Sequence, residues 1–471
     1  MTDLRALLAR VADHAAAYRA GADEARVFPD AALGTARAAL GGPLPDVGIP
    51  PGDVIEQLIG ALEPVTVATA GPRYFGFVTG GALDSATAAD VLAVGWDQLA
   101  YNHLTSPAAA IAEEVAGEWL LGVLGLPADA SFGFVTGAQG ANTVCLAAAR
   151  HKVLADDGWD VERDGMAGAP RVRIVATEER HATIDRALRL LGFGAACLEP
   201  VATDANGALD AGALRDALTA GPHGPTVVCL QAGNVNTGAC DPLGAAVAEA
   251  HEHGAWAHVD GAFGLWAGAS ARTRPLVDGV ESADSWATDG HKWLNVPYDS
   301  GFAFCAHPDA HVAAMAYTAA YLTGTSLPEV RSPGDYVPES SRRARGVATW
   351  AALRELGRSG VADLVDRCCA LAQRFASQLG DVNGITVAND VVLNQVLVRF
   401  GDDDATTDDV VTLVQRSGEC WMGSTTWRGR RYMRISVSNW RTTERDVDRS
   451  VAAITRAFGE SAGALRAVPA S

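Results

Sequence analysis

The chain has 471 residues, of which 48% are hydrophobic and 20% charged, the balance of a folded globular protein and not of a disordered one. Its 56 carboxylates outnumber 37 basic side chains and leave a net charge of −19, which argues against nucleic acid or an anionic membrane surface as the main partner. The length calls for one large domain with one or two smaller ones.

No apolar run follows a basic segment at the N-terminus, so no signal peptide is expected. The longest uncharged stretches, 131–149 and 310–328, are interrupted by Gly, Gln, Asn, Thr or His and read as buried elements instead of membrane spans. Eight cysteines lack CxxC spacing, and only Cys368 and Cys369 are neighbours. That usage fits buried thiols in a reducing cytoplasm, not a disulfide framework or a zinc site.

In chain order, residues 1–60 read as amphipathic helix broken by Pro and Gly at 41–52, and 62–81 as a Gly- and aromatic-rich loop. A helix is expected over 107–125, with Glu113, Glu114 and Glu118 on its polar side. From 131 to about 305, short apolar β-rich runs alternate with helical patterns. The runs are 171–176, 225–230, 255–260, 283–288 and 301–306; the helices are near 140–152, 182–192 and 242–253. Asp241-Pro242 reads as a helix start with an Asp cap. Such alternation predicts an α/β fold with a mainly parallel sheet covered on both faces. Residues 310–345 read as a long functional loop. A long helix follows at about 342–380, and then a small α+β domain with strands near 385–399 and 431–437.

In open α/β sheets, ligands bind at the carboxyl ends of the strands, so the residues following each run matter most. Asp260 closes the run 255–260, and a carboxylate there needs a partner. A helix cap or a structural ion pair would supply one, as would a protonated ring nitrogen. Gly137-Ala138-Gln139-Gly140-Ala141-Asn142 lies between a strand-like run and a helix; it is either a tight turn or a set of free amides able to hold phosphate. His181 follows the run 171–176 and opens a helix, placing an imidazole where it could stack on a planar cofactor.

The chain holds only two lysines, Lys152 and Lys292, against 35 arginines. A lysine kept in such a chain can do what arginine cannot, namely act as an amine nucleophile. Lys152 ends an Ala-rich helix pattern, where a cation suits the helix dipole. Lys292 stands in Asp289-Gly290-His291-Lys292-Trp293, just after a strand. A phosphate cradle, a His, an Asp and a Lys at successive strand ends together suit pyridoxal phosphate, which needs a lysine Schiff base and an acid at its ring nitrogen.

The ordered set of motifs resembles the group II pyridoxal-phosphate-dependent decarboxylases, the family of aromatic-L-amino-acid and glutamate decarboxylases. The resemblance runs from about Gly71 to Arg441. It rests on Gly71-Pro72-Arg73-Tyr74-Phe75, Ser106-Pro107, Thr136 to Asn142, His181, Gly233-Asn234 with Gly238-Ala239, His258-Val259-Asp260, Asp284-Ser285, Asp289 to Leu294, and Ser341-Arg342-Arg343-Ala344-Arg345. It implies fold type I of these enzymes, with a seven-stranded, mainly parallel sheet and flanking helices. The expected divisions are an N-terminal helical segment over 1–75, a cofactor-binding α/β domain over 76–345 and a small α+β domain over 346–471. It also implies a homodimer with active sites at the interface.

Carried over by residue, the resemblance makes Lys292 the Schiff-base lysine and Asp260 the partner of the pyridine nitrogen. Ala262 and His181 would pack on the two ring faces, and Gly137, Ala138, Gln139 and His291 would hold the phosphate. Tyr74, Phe75 and Tyr101 match positions lining the substrate pocket and favour an aromatic or apolar L-amino acid. The implied reaction is decarboxylation to the amine through a Schiff base and a quinonoid; no metal is expected.

Two departures stand out. The family often has Gly-Thr-Thr where this chain has Gly233-Asn234-Val235; Asn234 can still hydrogen-bond there and is the implied cofactor-binding residue of the segment. The proton donor to Cα is commonly a loop tyrosine; Tyr336 is the candidate, with spacing to Arg342 a few residues short, and Tyr317 and Tyr321 lie farther upstream. Without a tyrosine in place, the alternative is an oxidative route to an aldehyde. An aminotransferase or a desulfurase of the same fold is a rival, the latter needing Cys420 as nucleophile. His251-x-His253 reads as a solvated helix end.

Overall fold

The computed structural model describes residues 3–317 and 330–467. The chain divides into two units. The larger comprises Ala82–Ala372 and Asn389–Val396; the smaller comprises Met1–Gly81, Gln373–Ala388 and Leu397–Ser471. No helix among the described residues is long and apolar enough to cross a membrane.

The larger unit is built on seven strands: β1 (Ser131–Val135), β2 (Arg173–Thr177), β3 (Leu198–Val201), β4 (Thr226–Gln231), β5 (Trp256–Asp260), β6 (Ser285–Asp289) and β7 (Gly301–Cys305). Their spatial order is β1-β7-β6-β5-β4-β2-β3. The run from β6 to β3 is parallel, while β7 lies antiparallel to both β1 and β6. Every residue of the six strands other than β3 is buried. This explains their near-continuous apolar sequences, because helices cover both faces of such a sheet. β3 is one of the two edge strands and accommodates Pro200, which has no N–H to give a further neighbour. The helix Ala138–Asp156 crosses this sheet and buries eleven residues, mostly Ala, Leu and Val. Small side chains let it lie close against β6 and β7.

In the smaller unit, β8 (Ile385–Val387), β9 (Gln395–Phe400), β10 (Gly423–Trp427) and β11 (Arg430–Ser436) form a sheet in the order β10-β11-β9-β8. β9 begins two residues before the boundary between the units. The β10–β11 hairpin turns on Arg428 and Gly429, with φ of 48° and 74°, the left-handed pair that two-residue hairpins require. The single strand expected over 385–399 is in fact two antiparallel strands, β8 and β9. The N-terminal helices Leu4–Gly21, Leu33–Leu40 and Pro51–Leu62 have the expected break between the last two. The helical run Arg345–Gly380 is interrupted at Gly357, whose φ of 61° a helix cannot continue through.

Several local expectations are corrected. The helix after β4 starts at Leu243 with no side-chain cap. Asp241 instead accepts the amides of Leu209 and Gln231 at 2.8 and 2.7 Å, and burial pushes its carboxyl up to about 7. Glu113 is not on a polar face: it is fully buried and pairs with Arg342 at 2.8 Å. Lys152 sits on the outer face of its helix, paired with Asp156 at 2.6 Å. The expectation for the cysteines holds: all eight are free thiols, and all but Cys240 are buried.

Candidate active site

The parallel strands β4, β5 and β6 end in Gln231, Asp260 and Asp289. Asp260 is 5% exposed, and burial without donors would be costly. Its Oδ2 accepts from Asn142 Nδ2 at 3.1 Å and from Thr183 Oγ1 at 3.4 Å, and its Oδ1 from the Ala262 amide at 3.3 Å. The Asn142 and Thr183 donors come from two different helices, so the carboxylate is held where sheet and helices meet.

Beyond β6 the chain makes a tight turn. The amides of Gly290 and His291 both point at the Ser300 carbonyl, at 3.0 and 3.2 Å. A Cβ on Gly290 would stand 2.6 Å from Ser300 Oγ, so only glycine fits. This turn brings Lys292 Nζ to 3.0 Å from Asp289 Oδ2, its single ion pair among the described residues. His291 turns its ring to the same carboxylate, with Nε2 3.4 Å from Asp289 Oδ1. Its Nδ1 accepts from the Ser300 amide at 3.1 Å and its ring stacks on Tyr298, with centroids 4.4 Å apart. Burial lowers its pKa and outweighs the opposite pull of Asp289, which keeps the imidazole neutral near pH 7.

Gly137 leads directly into the helix Ala138–Asp156. A Cβ on Gly301 would come within 2.4 Å of the Gly137 Cα, so the two backbones cross at a distance that no side chain allows. The first helical amide, Ala138 N, donates to Asp289 Oδ1 at 2.6 Å. An anionic oxygen on a helix N-terminus is the arrangement that binds phosphate. Gln139 Nε2 reaches the Thr183 carbonyl at 3.2 Å. His181 caps the helix Ala182–Leu190: its Nδ1 meets Thr183 N at 3.3 Å and Thr183 Oγ1 at 2.9 Å. The hydroxyl of Thr183 therefore links His181 to Asp260.

Gly137, Ala138, Gln139, His181, Asp260, Ala262, His291 and Lys292 all belong to the larger unit and are joined by these contacts or by sequence adjacency. Asn234 is also there, but its side chain is committed to its own turn. Oδ1 accepts from Asn236 N at 2.9 Å, and Nδ2 donates to Glu179 at 3.3 Å. The three candidate substrate residues are divided between the units. Tyr74 stacks on Trp421 at 5.0 Å, and Phe75 lies edge-on to Phe375 in the core of the smaller unit. Tyr101, in the larger unit, packs its ring over Gly334. Arg73 is buried and holds the carbonyls of Glu419 and Ala25 at 2.7 and 3.1 Å.

Tyr336 is grouped with a different cluster. Its ring lies edge-on to His311 at 5.1 Å and beneath the Arg331 guanidinium at 4.5 Å, and its carbonyl accepts from His311 Nε2 at 3.0 Å. Tyr317 contacts Ser340 Oγ at 2.6 Å, and Tyr321 lies outside the described residues. Cys420 is fully buried, and burial pushes its thiol up to about 12, which denies it the thiolate that a desulfurase needs. His251 pairs with Asp284 at 3.0 Å, and no metal-binding group of His, Cys, Asp and Glu exists among the described residues.

Three side chains important to this geometry escape a reading of strand ends. Asp289 connects the lysine to the helix N-terminus, Asn142 and Thr183 hold Asp260. Asp289 could have been noticed from its place three residues before Lys292, the spacing that closes one turn. Thr183 follows His181 by two residues but carries no signal of its own.

The residues present fit pyridoxal phosphate. A lysine amine, a buried carboxylate with a defined set of donors, and a helix amide already aimed at an anionic oxygen stand together in one unit. The comparisons agree. A tryptophan decarboxylase of Oryza sativa subsp. japonica is 26% identical over 466 residues, covering 93% of this chain and 90% of that protein. A 4-hydroxyphenylacetaldehyde synthase of Rhodiola rosea is 26% identical, covering 87% of this chain and 86% of that protein. The crystal structure of Oryza sativa TDC with PLP and tryptamine superposes with a TM-score of 0.89 at 25% identity, covering 97% and 98% of the two chains. The pyridoxal-dependent decarboxylase conserved domain matches residues 48–400. The chain therefore belongs to the pyridoxal-dependent decarboxylase family and is a carboxy-lyase with pyridoxal phosphate as its cofactor.

Proposed function

We propose that this enzyme decarboxylates an L-amino acid with an aromatic side chain to the corresponding amine. The observation that carries the catalytic reading is the joining of Lys292, Asp289 and the Ala138 amide. It sets the one amine of the site beside the place where a phosphate would be held. The relatives' printed activities on tryptophan and on a hydroxyphenyl compound support an aromatic substrate.

When bound, the cofactor supplies an aldehyde for the amines to join and a ring that accepts the electrons of the broken Cα–carboxylate bond. Lys292 would hold the aldehyde carbon between turnovers and yield it to the substrate amine. Asp260 would hold a proton on the ring nitrogen, which makes the ring a better electron acceptor. His181 and Ala262 would bound the ring faces; Gly137, Ala138, Gln139 and His291 would orient the phosphate. His291, neutral near pH 7, can act there through one N–H only. Asn234 would act on the ligand through the turn it organises. Tyr74, Phe75 and Tyr101 remain the proposed substrate-pocket residues, and Tyr336 the proposed proton donor at Cα.

A second reading follows from the position of Tyr336, whose ring is engaged by His311 and Arg331. If no acid protonates Cα, the route becomes oxidative. One O2 and one water are consumed, and aldehyde, carbon dioxide, ammonia and hydrogen peroxide form. We place the enzyme in the cytoplasm as a homodimer. Exposed apolar side chains on and between the N-terminal helices, including Leu33, Leu44 and Val47, support the dimer. Assaying carbon dioxide, amine, aldehyde and peroxide across L-amino acids tests the reading. Amine without peroxide supports decarboxylation; aldehyde with peroxide supports the oxidative route.

A further inference from the structure

A line of hydrogen bonds approaches Asp260 along the face of β5 that meets the helix Ala138–Asp156. Trp256 Nε1 donates to Ser285 Oγ at 2.9 Å. Ser285 Oγ lies 3.0 Å from His258 Nδ1. His258 Nε2 lies 3.0 Å from Asn142 Oδ1. Asn142 Nδ2 then donates to Asp260 Oδ2 at 3.1 Å. Trp256 is 4% exposed and Asp260 5%; the three residues between them are completely buried.

The carboxylate end fixes the direction of the bonds, because a carboxylate oxygen can only accept. Asp260 must receive an N–H from Asn142 Nδ2, which turns Asn142 Oδ1 toward His258 Nε2 and sets the one proton of the neutral ring there. His258 Nδ1 is then the acceptor for the Ser285 hydroxyl. The Trp256 indole N–H, which can only donate, takes one of the two lone pairs of Ser285 Oγ. The reverse direction would set Asn142 Oδ1 against a carboxylate oxygen, which is repulsive. His258 works as a neutral ring here, as complete burial dictates. Because each bond polarises the next in a low-dielectric interior, the line acts as a unit.

We propose that Trp256, Ser285, His258 and Asn142 form a one-way hydrogen-bond chain that orients Asp260 and sets the strength of its contact with the ring nitrogen of pyridoxal phosphate. The chain occupies Oδ2, which also takes the longer bond from Thr183, and among the described residues leaves Oδ1 with only the 3.3 Å contact from the Ala262 amide. Oδ1 is thus the oxygen open to a further N–H. Asn142 and His258 are positioning residues: they act through Asp260, on whose proposed role at the ring nitrogen this inference rests. Strand geometry explains how the line is possible. His258 and Ser285 are directly opposed in the β5–β6 register, while the helix Ala138–Asp156 carries Asn142 across their ends.

The test uses the full-length, cofactor-loaded protein, with 15N in the cofactor ring. The 15N resonance reports protonation of the ring nitrogen; a separate titration of cofactor-free protein gives the Kd for pyridoxal phosphate. Asp260→Asn is the reference and should move the resonance toward the unprotonated form. Asn142→Leu and His258→Leu should move it the same way, with Kd weakened about tenfold, the effect of losing one bond to a charged group. His258→Gln, which keeps a donor toward Asn142, should restore most of the wild-type resonance. Should either Leu variant fail to fold, Ser285→Ala carries the test, since it deletes a single polar group with little change in shape. A wild-type resonance in the chain variants, with a shifted one in Asp260→Asn, overturns the chain alone. An unshifted resonance in Asp260→Asn overturns the role of Asp260 and the chain with it.

Discussion

Asp289 Oδ2 lies 3.0 Å from the Nζ of Lys292, while Oδ1 of the same carboxylate takes the Ala138 amide at 2.6 Å. One side chain thus ties the amine to the helix N-terminus, and it places a negative charge in the proposed phosphate cradle. Two like charges about 6 Å apart in a partly buried site repel by about 3 kcal/mol. Asp289→Asn removes that charge and keeps an oxygen for the amide. The cofactor-free variant should bind inorganic phosphate about a hundredfold more tightly in calorimetric titration. Weaker binding in the variant would contradict the cradle.

His311 should make the fold sensitive to acid. It is 1% exposed, its two nitrogens engage Ser131 Oγ at 2.9 Å and the Tyr336 carbonyl at 3.0 Å, and burial lowers its pKa to about 3. The unfolded chain takes up a proton near pH 6.5, and the folded one does not until about 3. Stability from this group is therefore full above pH 6.5 and falls as pH drops toward 3. Between pH 6 and 4 it should fall by about 1.4 kcal/mol per pH unit. Urea unfolding at pH 6, 5 and 4 should show wild type losing stability faster than His311→Asn by about that slope. Parallel slopes would contradict the assignment.

The buried pair of Glu113 and Arg342, 2.8 Å apart, joins the helix Pro107–Leu124 to the segment before the helical run Arg345–Gly380. Arg342 also donates to the Phe134 carbonyl in β1 at 3.0 Å. Removing one partner of such a pair strands the other charge in the interior, at about 3–5 kcal/mol. Glu113→Gln should lower the unfolding free energy by about that amount in denaturant titration. A loss below about 1 kcal/mol would show that solvent reaches the pair. The exposed pair of Lys152 and Asp156 offers a control, where Lys152→Ala should change stability by less than about 1 kcal/mol.

The fold and part of the site were legible because their signals are local. Continuous apolar runs marked the buried strands, and the scarcity of lysine singled out Lys292. Residues whose meaning depends on distant partners were harder to read. Asp241 before Pro242 has the form of a helix cap, yet it is drawn to amides at Leu209 and Gln231. Glu113 sits among charged neighbours on a helix, and only Arg342, far along the chain, shows that it faces inward. Arg73 reads as a loop residue, but its guanidinium gathers carbonyls from two separate segments. The chain that ends at Asp260 is drawn from three parts of the sequence and appears only once β5, β6 and the helix Ala138–Asp156 are assembled.

The most direct test of the account measures carbon dioxide and amine together, for wild type and Lys292→Ala loaded with pyridoxal phosphate, across a panel of L-amino acids. The account predicts one amine per carbon dioxide from an aromatic amino acid with the wild type, and neither product above background with Lys292→Ala, because no other amine stands in the site. Lys292→Arg should be equally inactive, since a guanidinium does not give up its proton to become a nucleophile. Carbon dioxide released at wild-type rates by Lys292→Ala, or no release from any L-amino acid by the wild type, would contradict it.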